Sequence, residues 1–133
     1  PLLTTSGYAA RFDDPGSYTD LGDLVRGLLG VGVREITGGI VGDESRYDAI
    51  RYLGTWPDRF KPGWSIQSGP LSALSVDDGF EKWDPVNTAP SLSVPAADPA
   101  ANAASLLDDL LEAEGVVIRR RVAPLPPSTG GPR

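Results

Sequence analysis

The sequence predicts an α/β domain, with α+β as the alternative: one small sheet packed by two amphipathic helices, with a long aromatic-rich loop leaving it. Three observations carry this. Leu21, Leu24, Val25, Leu28 and Leu29 fall at i, i+3, i+4, i+7 and i+8, and Ala103, Leu106, Leu107, Leu110 and Leu111 repeat the stripe, a spacing that gathers apolar side chains on one helix face. Each stripe runs through a glycine into a β-branched stretch, Val33 to Ile36 and Val116 to Ile118, which reads as a strand. Between the two units, Tyr47, Tyr52, Trp56, Phe60 and Trp64 sit among Gly54, Pro57, Pro62, Gly63 and Gly69, where proline blocks any long helix.

In chain order, Tyr8, Ala10 and Phe12 alternate with Ala9 and Arg11 as a short strand would, and Asp13 to Gly16 make a turn. Thr19 or Asp20 caps the first helix, because a short side-chain oxygen accepts a free N–H of the first turn; Gly30 and Gly32 end it. A strand from Val33 to Val41 follows, bent at Gly38-Gly39. A short helix at Tyr47–Leu53 opens the aromatic loop. Leu71, Ala73, Leu74 and Val76 read as a buried strand closed by Asp77, Asp78 and Gly79. Pro85, Pro90 and Pro95 mark a connection with an edge strand at Ser91–Val94. Asp98 caps the second helix with Pro99 at its first position, Gly115 stops it, and Val116 to Val122 form the last strand. Residues 1–123 make the domain, and 124–133 read as a loose Pro/Gly tail. Leu24, Leu28, Gly32 and Val33 match Leu107, Leu111, Gly115 and Val116 at a constant offset of 83, so each unit reads helix, glycine, strand.

Composition excludes several functions. At 133 residues and 40% hydrophobic, one domain buries roughly two-thirds of its unfolded surface without staples. Twelve basic against 18 acidic residues leave a net charge of -6, unsuited to nucleic acid or to a polybasic membrane anchor. No run reaches the ~20 apolar residues of a membrane-spanning helix. With no Cys and no His, thiol nucleophiles, Cys- or His-built zinc sites and imidazole catalysis are out, while missing disulfides say nothing of compartment. The chain starts at Pro1 and contains no Met, as expected of a processed or excised segment.

The remaining chemistry is sparse. Asp13-Asp14, Asp43-Glu44 and Asp77-Asp78 have no EF-hand spacing and read as turn residues and solvated loop ends; no metal or cofactor is expected. Asp77 or Glu81 near Trp83 form a carboxylate constellation for glycoside hydrolysis, but nothing fixes their separation. A serine nucleophile needs a basic partner; Ser-x-x-Lys and Ser-x-Asn are absent, and Ser128-Thr129-Gly130 lacks the lysine of a Lys-Thr-Gly strand. The glycine clusters lack strand–loop–helix order. The aromatic residues, Trp83 included, either stack on a ligand or close a secondary core under the loop, and burial is the favoured reading. Arg119, Arg120 and Arg121 lie within a strand, where one must face the covered side unless the strand is an edge.

The run Gly30-Val31-Gly32-Val33-Arg34-Glu35-Ile36-Thr37-Gly38-Gly39-Ile40-Val41-Gly42-Asp43-Glu44-Ser45-Arg46-Tyr47 resembles a characteristic stretch of the penicillin-binding D-alanyl-D-alanine carboxypeptidases of the peptidase S13 family. So do Pro62-Gly63-Trp64 and Gly69-Pro70-Leu71-Ser72-Ala73-Leu74-Ser75-Val76-Asp77-Asp78-Gly79, the opening Pro1-Leu2-Leu3-Thr4-Thr5, and the closing helix with Gly115-Val116. The resemblance spans residues 1–123. It implies a segment inserted into a serine transpeptidase-like domain, after its Ser-x-x-Lys motif and before Ser-x-Asn and Lys-Thr-Gly, so no catalytic residue carries over. The further β-rich insertion of some members is missing after Gly79. The resemblance places Trp64, Ile66, Gln67 and Ser68 beside the mouth of the parent's active site, flanking substrate.

The expectation is thus a non-catalytic insertion domain of an extracytoplasmic cell-wall carboxypeptidase or endopeptidase. Its partners would be the catalytic domain of the same parent chain and, through it, the peptidoglycan stem peptide. The alternatives are a stand-alone module that binds peptidoglycan or a protein through the aromatic loop, and a small enzyme using carboxylates.

Overall fold

A computed structural model describes residues 2–12, 17–62, 67–86 and 93–120. The fold is mixed α/β, as the sequence predicts. In chain order it runs β1 (Leu2–Thr4), α1 (Ser6–Ala9), β2 (Tyr18–Asp20), α2 (Leu21–Gly30), β3 (Glu35–Ile36), β4 (Phe80–Lys82), β5 (Val94–Pro95), α3 (Pro99–Ala113) and β6 (Val117–Ile118), with single helical turns at Asp58–Phe60 and Asp77–Gly79. Among the described residues no helix is long and apolar enough to cross a membrane.

Among the described residues the expected single sheet is divided into three two-stranded ladders. β1 and β2 pair in parallel, with Leu2 opposite Tyr18 and Thr4 opposite Asp20; β3 and β6 pair in parallel, with Glu35 opposite Val117; β4 and β5 pair antiparallel, with Phe80 opposite Pro95. Strands of two or three residues offer too few backbone groups to recruit a third neighbour, and glycine and proline keep them short.

The helices form where the sequence places them. Asp20, rather than Thr19, caps α2 by accepting the Gly22 N–H at 2.8 Å. Asp98 caps α3 by accepting the Ala101 N–H at 2.9 Å, with Pro99 opening the helix. Both helices end identically. Gly32 and Gly115 take φ of +90° and +84°, and the next amides reach back: Val33 N–H to Leu28 O and Val116 N–H to Leu111 O, each at 3.0 Å. These are twin Schellman motifs, and they give the 83-residue echo a structural basis. The strands that follow, β3 and β6, pair side by side, continued by Arg119 N–H to Ile36 O and Arg120 N–H to Gly38 O.

The core is the seam between α2 and α3. Val25, Leu111 and Val116 pack with Leu28, Val33, Ile36 and Ile118; Leu21, Val76 and Ala103 pack with Leu3 and Leu74; Leu107 and Leu110 join the two groups. Leu24 belongs to the predicted stripe yet is 49% exposed, at the stripe's outer edge. The small residues of α3 admit a close neighbour: a Cβ at Gly42 would stand 2.0 Å from the Ala100 carbonyl oxygen.

Several local expectations are overturned. Tyr8 to Phe12 is helical turn rather than strand, because that geometry brings the two rings to 5.4 Å. Tyr47–Leu53 forms no helix; the Asp43 and Asp48 carboxylates instead accept the Ser45 and Ile50 amides, local bonds that compete with helix. Leu71 to Val76 bends and joins no ladder, since the Ser72 hydroxyl takes the Leu74 amide while Leu74 and Val76 turn into the core. The strand comes later, as β4. The strand predicted over Val33–Val41 contracts to β3, and in the described part of Val116–Val122, residues 116–120, β6 is the strand. Of the predicted edge strand, Val94 pairs as part of β5. Asp13 to Gly16, Pro90 to Leu92, Arg121, Val122 and the tail at 124–133 lie outside the described residues.

Candidate functional site

The long loop between β3 and the Asp77–Gly79 turn is closed at its base by a polar clasp. The Leu71 amide donates to Arg51 O at 2.8 Å. The Arg51 guanidinium forks onto the Glu44 carboxylate, with one bond at 2.7 Å, and also reaches Leu71 O at 3.1 Å. The Ser72 hydroxyl lies 2.6 Å from the same carboxylate and 2.8 Å from Leu74 O. Arg51 holds the Glu44 carboxyl below its usual range, with Ser72 adding to the effect against desolvation.

Ser72 beside Glu44 has the outline of a nucleophile and base. The electrostatics do not fit: a carboxylate with a lowered pKa is a poor proton acceptor, and its lone pairs are shared with a guanidinium. The clasp is a tie.

Within the loop, backbone bonds from Trp56 to Leu53 O, Phe60 to Pro57 O and Lys61 to Asp58 O build successive tight turns. Trp56 meets Phe60 edge-on at 6.1 Å, and Arg59 lies 4.6 Å from the Phe60 ring centre. Lys61 donates to Gly54 O at 3.1 Å. The expected secondary core is not formed by the described aromatics: Tyr47 is 60% exposed, and Tyr52, Trp56 and Phe60 are half-buried. Trp83 belongs elsewhere, packing at 5.5 Å on Tyr8, with Arg11 against both rings and Phe12 stacked on Tyr18.

At the loop's far root, Asp77 and Asp78 take φ of 53° and 55° and Gly79 of 79°. Asp77 is 2% exposed. Its carboxylate accepts the Thr5 amide at 2.6 Å and the Thr5 hydroxyl at 2.9 Å, and a bond from the Trp83 side chain. The Tyr8 hydroxyl donates to Asp78 at 2.7 Å. Burial pushes the Asp77 pKa up, against the lowering effect of these bonds and with help from Asp78. Burial, and then Asp78, push the Tyr8 phenol up as well. A buried carboxyl with a raised pKa is a common mark of an active site, but here its oxygens are engaged by fixed donors.

Of the residues expected to flank substrate, Trp64 and Ile66 lie outside the described residues. Gln67 is exposed and its amide bonds Arg59 O at 3.1 Å; Ser68 is half-buried and donates to Gly69 O at 3.2 Å. They lead directly into the root. The glycosidase pairing finds no support: Asp77 is buried and bonded, whereas Glu81 is exposed on β4. Asp43 accepts the Ser45 amide at the surface, which lowers its pKa. Among the described residues no cluster of three or more acidic side chains is placed to hold a metal ion. Arg119 and Arg120 are both exposed, and Arg119 pairs with Glu35 across the ladder at 2.6 Å, which is the edge-strand reading. A cleft between Thr5, Asp20, Arg26 and Glu114 has its Asp20 engaged in capping and its Arg26 paired to Asp23.

Sequence reasoning missed Thr5, Tyr8, Arg51 and Ser72. Only the Asp-Asp-Gly triplet signalled a turn; the partners it holds come from the other end of the chain.

No family model matches the chain, and neither a curated protein nor a solved structure matches it. The fold and site together define a small mixed α/β domain with a tethered aromatic loop.

Proposed function

We propose that the chain is a non-catalytic insertion domain of a serine-type D-alanyl-D-alanine carboxypeptidase of the cell envelope. It supports the parent's fold and sets one flank of the groove that receives the peptidoglycan stem peptide. The observation that carries this reading is the role of the residues behind the S13 resemblance. Gly42, Glu44, Gly69, Ser72, Asp77 and Asp78 all serve as ties or close contacts, which join the loop's two ends to each other, to the β1–α1 segment and, at Gly42, to α3. That is the work of a scaffold, and it leaves Gln67 exposed on the loop, beside the half-buried Ser68. The absence of Cys, His and Ser-x-x-Lys agrees with catalysis lying elsewhere.

The test is covalent labelling with a fluorescent penicillin, read by intact mass, on this chain and on a version extended by the sequence on either side in its gene. Label on the extended version alone is the expected result. Label on neither would remove the carboxypeptidase reading.

One observation favours a second reading, a module that binds peptidoglycan or a protein through the loop. Tyr47, Ile50 and Leu53 are 60%, 51% and 41% exposed, an apolar loop surface suited to contact. A shift of tryptophan fluorescence on adding a soluble muropeptide to this chain alone would support it.

A further inference from the structure

Asp77, Asp78 and Gly79 are three successive residues at positive φ, of which only the last is glycine. Side chains held there are strained, and strain of this kind persists only where neighbours over-determine the conformation. The neighbours come from two directions. On one side, Thr5 gives Asp77 its amide and hydroxyl, and Tyr8 gives Asp78 its phenol. On the other, the end of the aromatic loop is pressed against the turn. A Cβ on Gly69 would lie 1.7 Å from the Asp78 carbonyl oxygen, and one on Gly79 would lie 3.0 Å from Pro70 Cδ. The next residue, Leu71, closes the loop onto Arg51. One strained turn therefore touches both the β1–α1 segment and the loop's root.

We propose that the Asp77–Gly79 turn is a latch: Thr5 and Tyr8 hold it in its strained form, and in that form it fixes the aromatic loop at Gly69–Pro70. When those bonds open, the turn relaxes and the loop loosens, while the core of Val25, Leu111 and Val116, which contains no residue of the turn, stays folded. The latch concerns loop mobility alone. Its failure is therefore distinguishable from failure of the carboxypeptidase reading, because the penicillin label does not depend on it.

The test is amide hydrogen exchange on the 133-residue chain and on Tyr8→Phe, which keeps the ring and removes the hydroxyl. In the wild type, the Leu71 and Gln67 amides, bonded to Arg51 O and Arg59 O, are expected to exchange faster than the Val116 amide, reporting a partial opening. If that opening breaks the latch, Tyr8→Phe accelerates both loop amides by about tenfold, the factor expected for losing one bond to a half-buried carboxylate. If the loop opens with the latch shut, their rates do not change and the proposal falls. It also falls if the loop amides are as protected as Val116 in the wild type, since the loop then never opens apart from the core. Should Tyr8→Phe fail to fold, Thr5→Val decides. It removes the hydroxyl bond and keeps the amide bond, with about threefold acceleration of the same amides expected; unchanged rates overturn the latch.

Discussion

The two helix–strand units and the loop with its root are held by different kinds of bond. In the units the decisive contacts are local: Val33 to Leu28 and Val116 to Leu111 each close a helix within a few residues. In the loop they are distant: Glu44 to Ser72 spans 28 positions and Thr5 to Asp77 spans 72. Local bonds form wherever the short sequence is right, so they recur in two copies. Distant ones form only once the fold has delivered both partners, so they occur singly and depend on the whole.

The sharpest way to separate the regions is to remove contacts from each. Leu111→Ala, at the center of the seam and fully buried, should cost about 3 kcal/mol through lost burial and a residual cavity. A urea midpoint read by helical circular dichroism would measure it, and a loss under 1 kcal/mol would mean the seam is not the core. Gly69→Ala comes next, at about 2 kcal/mol. Its new methyl meets the Asp78 carbonyl oxygen at 1.7 Å, and backbone yields at a cost typical of overpacking. Gly32→Ala and Gly115→Ala are expected to be milder, at about 1 kcal/mol each. Nothing lies within 4 Å of either new methyl, so only the left-handed backbone is penalised. Equal losses at the two positions would confirm that the units are equivalent, and a loss at one alone would break the equivalence.

The same division explains what the sequence revealed. Both long helices, their Asp caps and their glycine stops were legible, because Asp20, Asp98, Gly32 and Gly115 act within a turn of their own position. The mixed α/β class followed from them. The strands were legible only as stretches: Val33 to Val41 has the right residues for a long strand, but pairing depends on what lies alongside, and the pairing with the last strand reaches only from Arg34 to Gly38. Tyr8 to Phe12 misled because alternation over five residues also fits one helical turn when the two rings can meet. At the site, the Asp77-Asp78-Gly79 turn was visible as a triplet. Its left-handed geometry and its bonds to Thr5 and Tyr8 were not, since nothing in either segment signals the other.

The smallest effect, and the most specific, is a contrast in pH dependence between the loop's two ties. Asp77 has a raised pKa in the folded chain. Between the ordinary aspartate value and that raised one, the native state binds more protons than the unfolded state, so stability rises as pH falls through the window. Glu44 is the opposite. Its folded pKa is lowered by Arg51, so its contribution is complete above the ordinary glutamate value and is lost as pH falls through the lowered one. Asp77→Asn resembles the protonated aspartate at every pH. It should therefore lose the acid-side gain, measured as the difference in urea midpoint from wild type between pH 7 and pH values just above ~4. Glu44→Gln should flatten the loss below that range. If Asp77→Asn gains stability on acidification as fully as the wild type, the buried carboxylate is not the group that titrates over this range, and its burial beside Thr5 does not set the acid-side stability of the root.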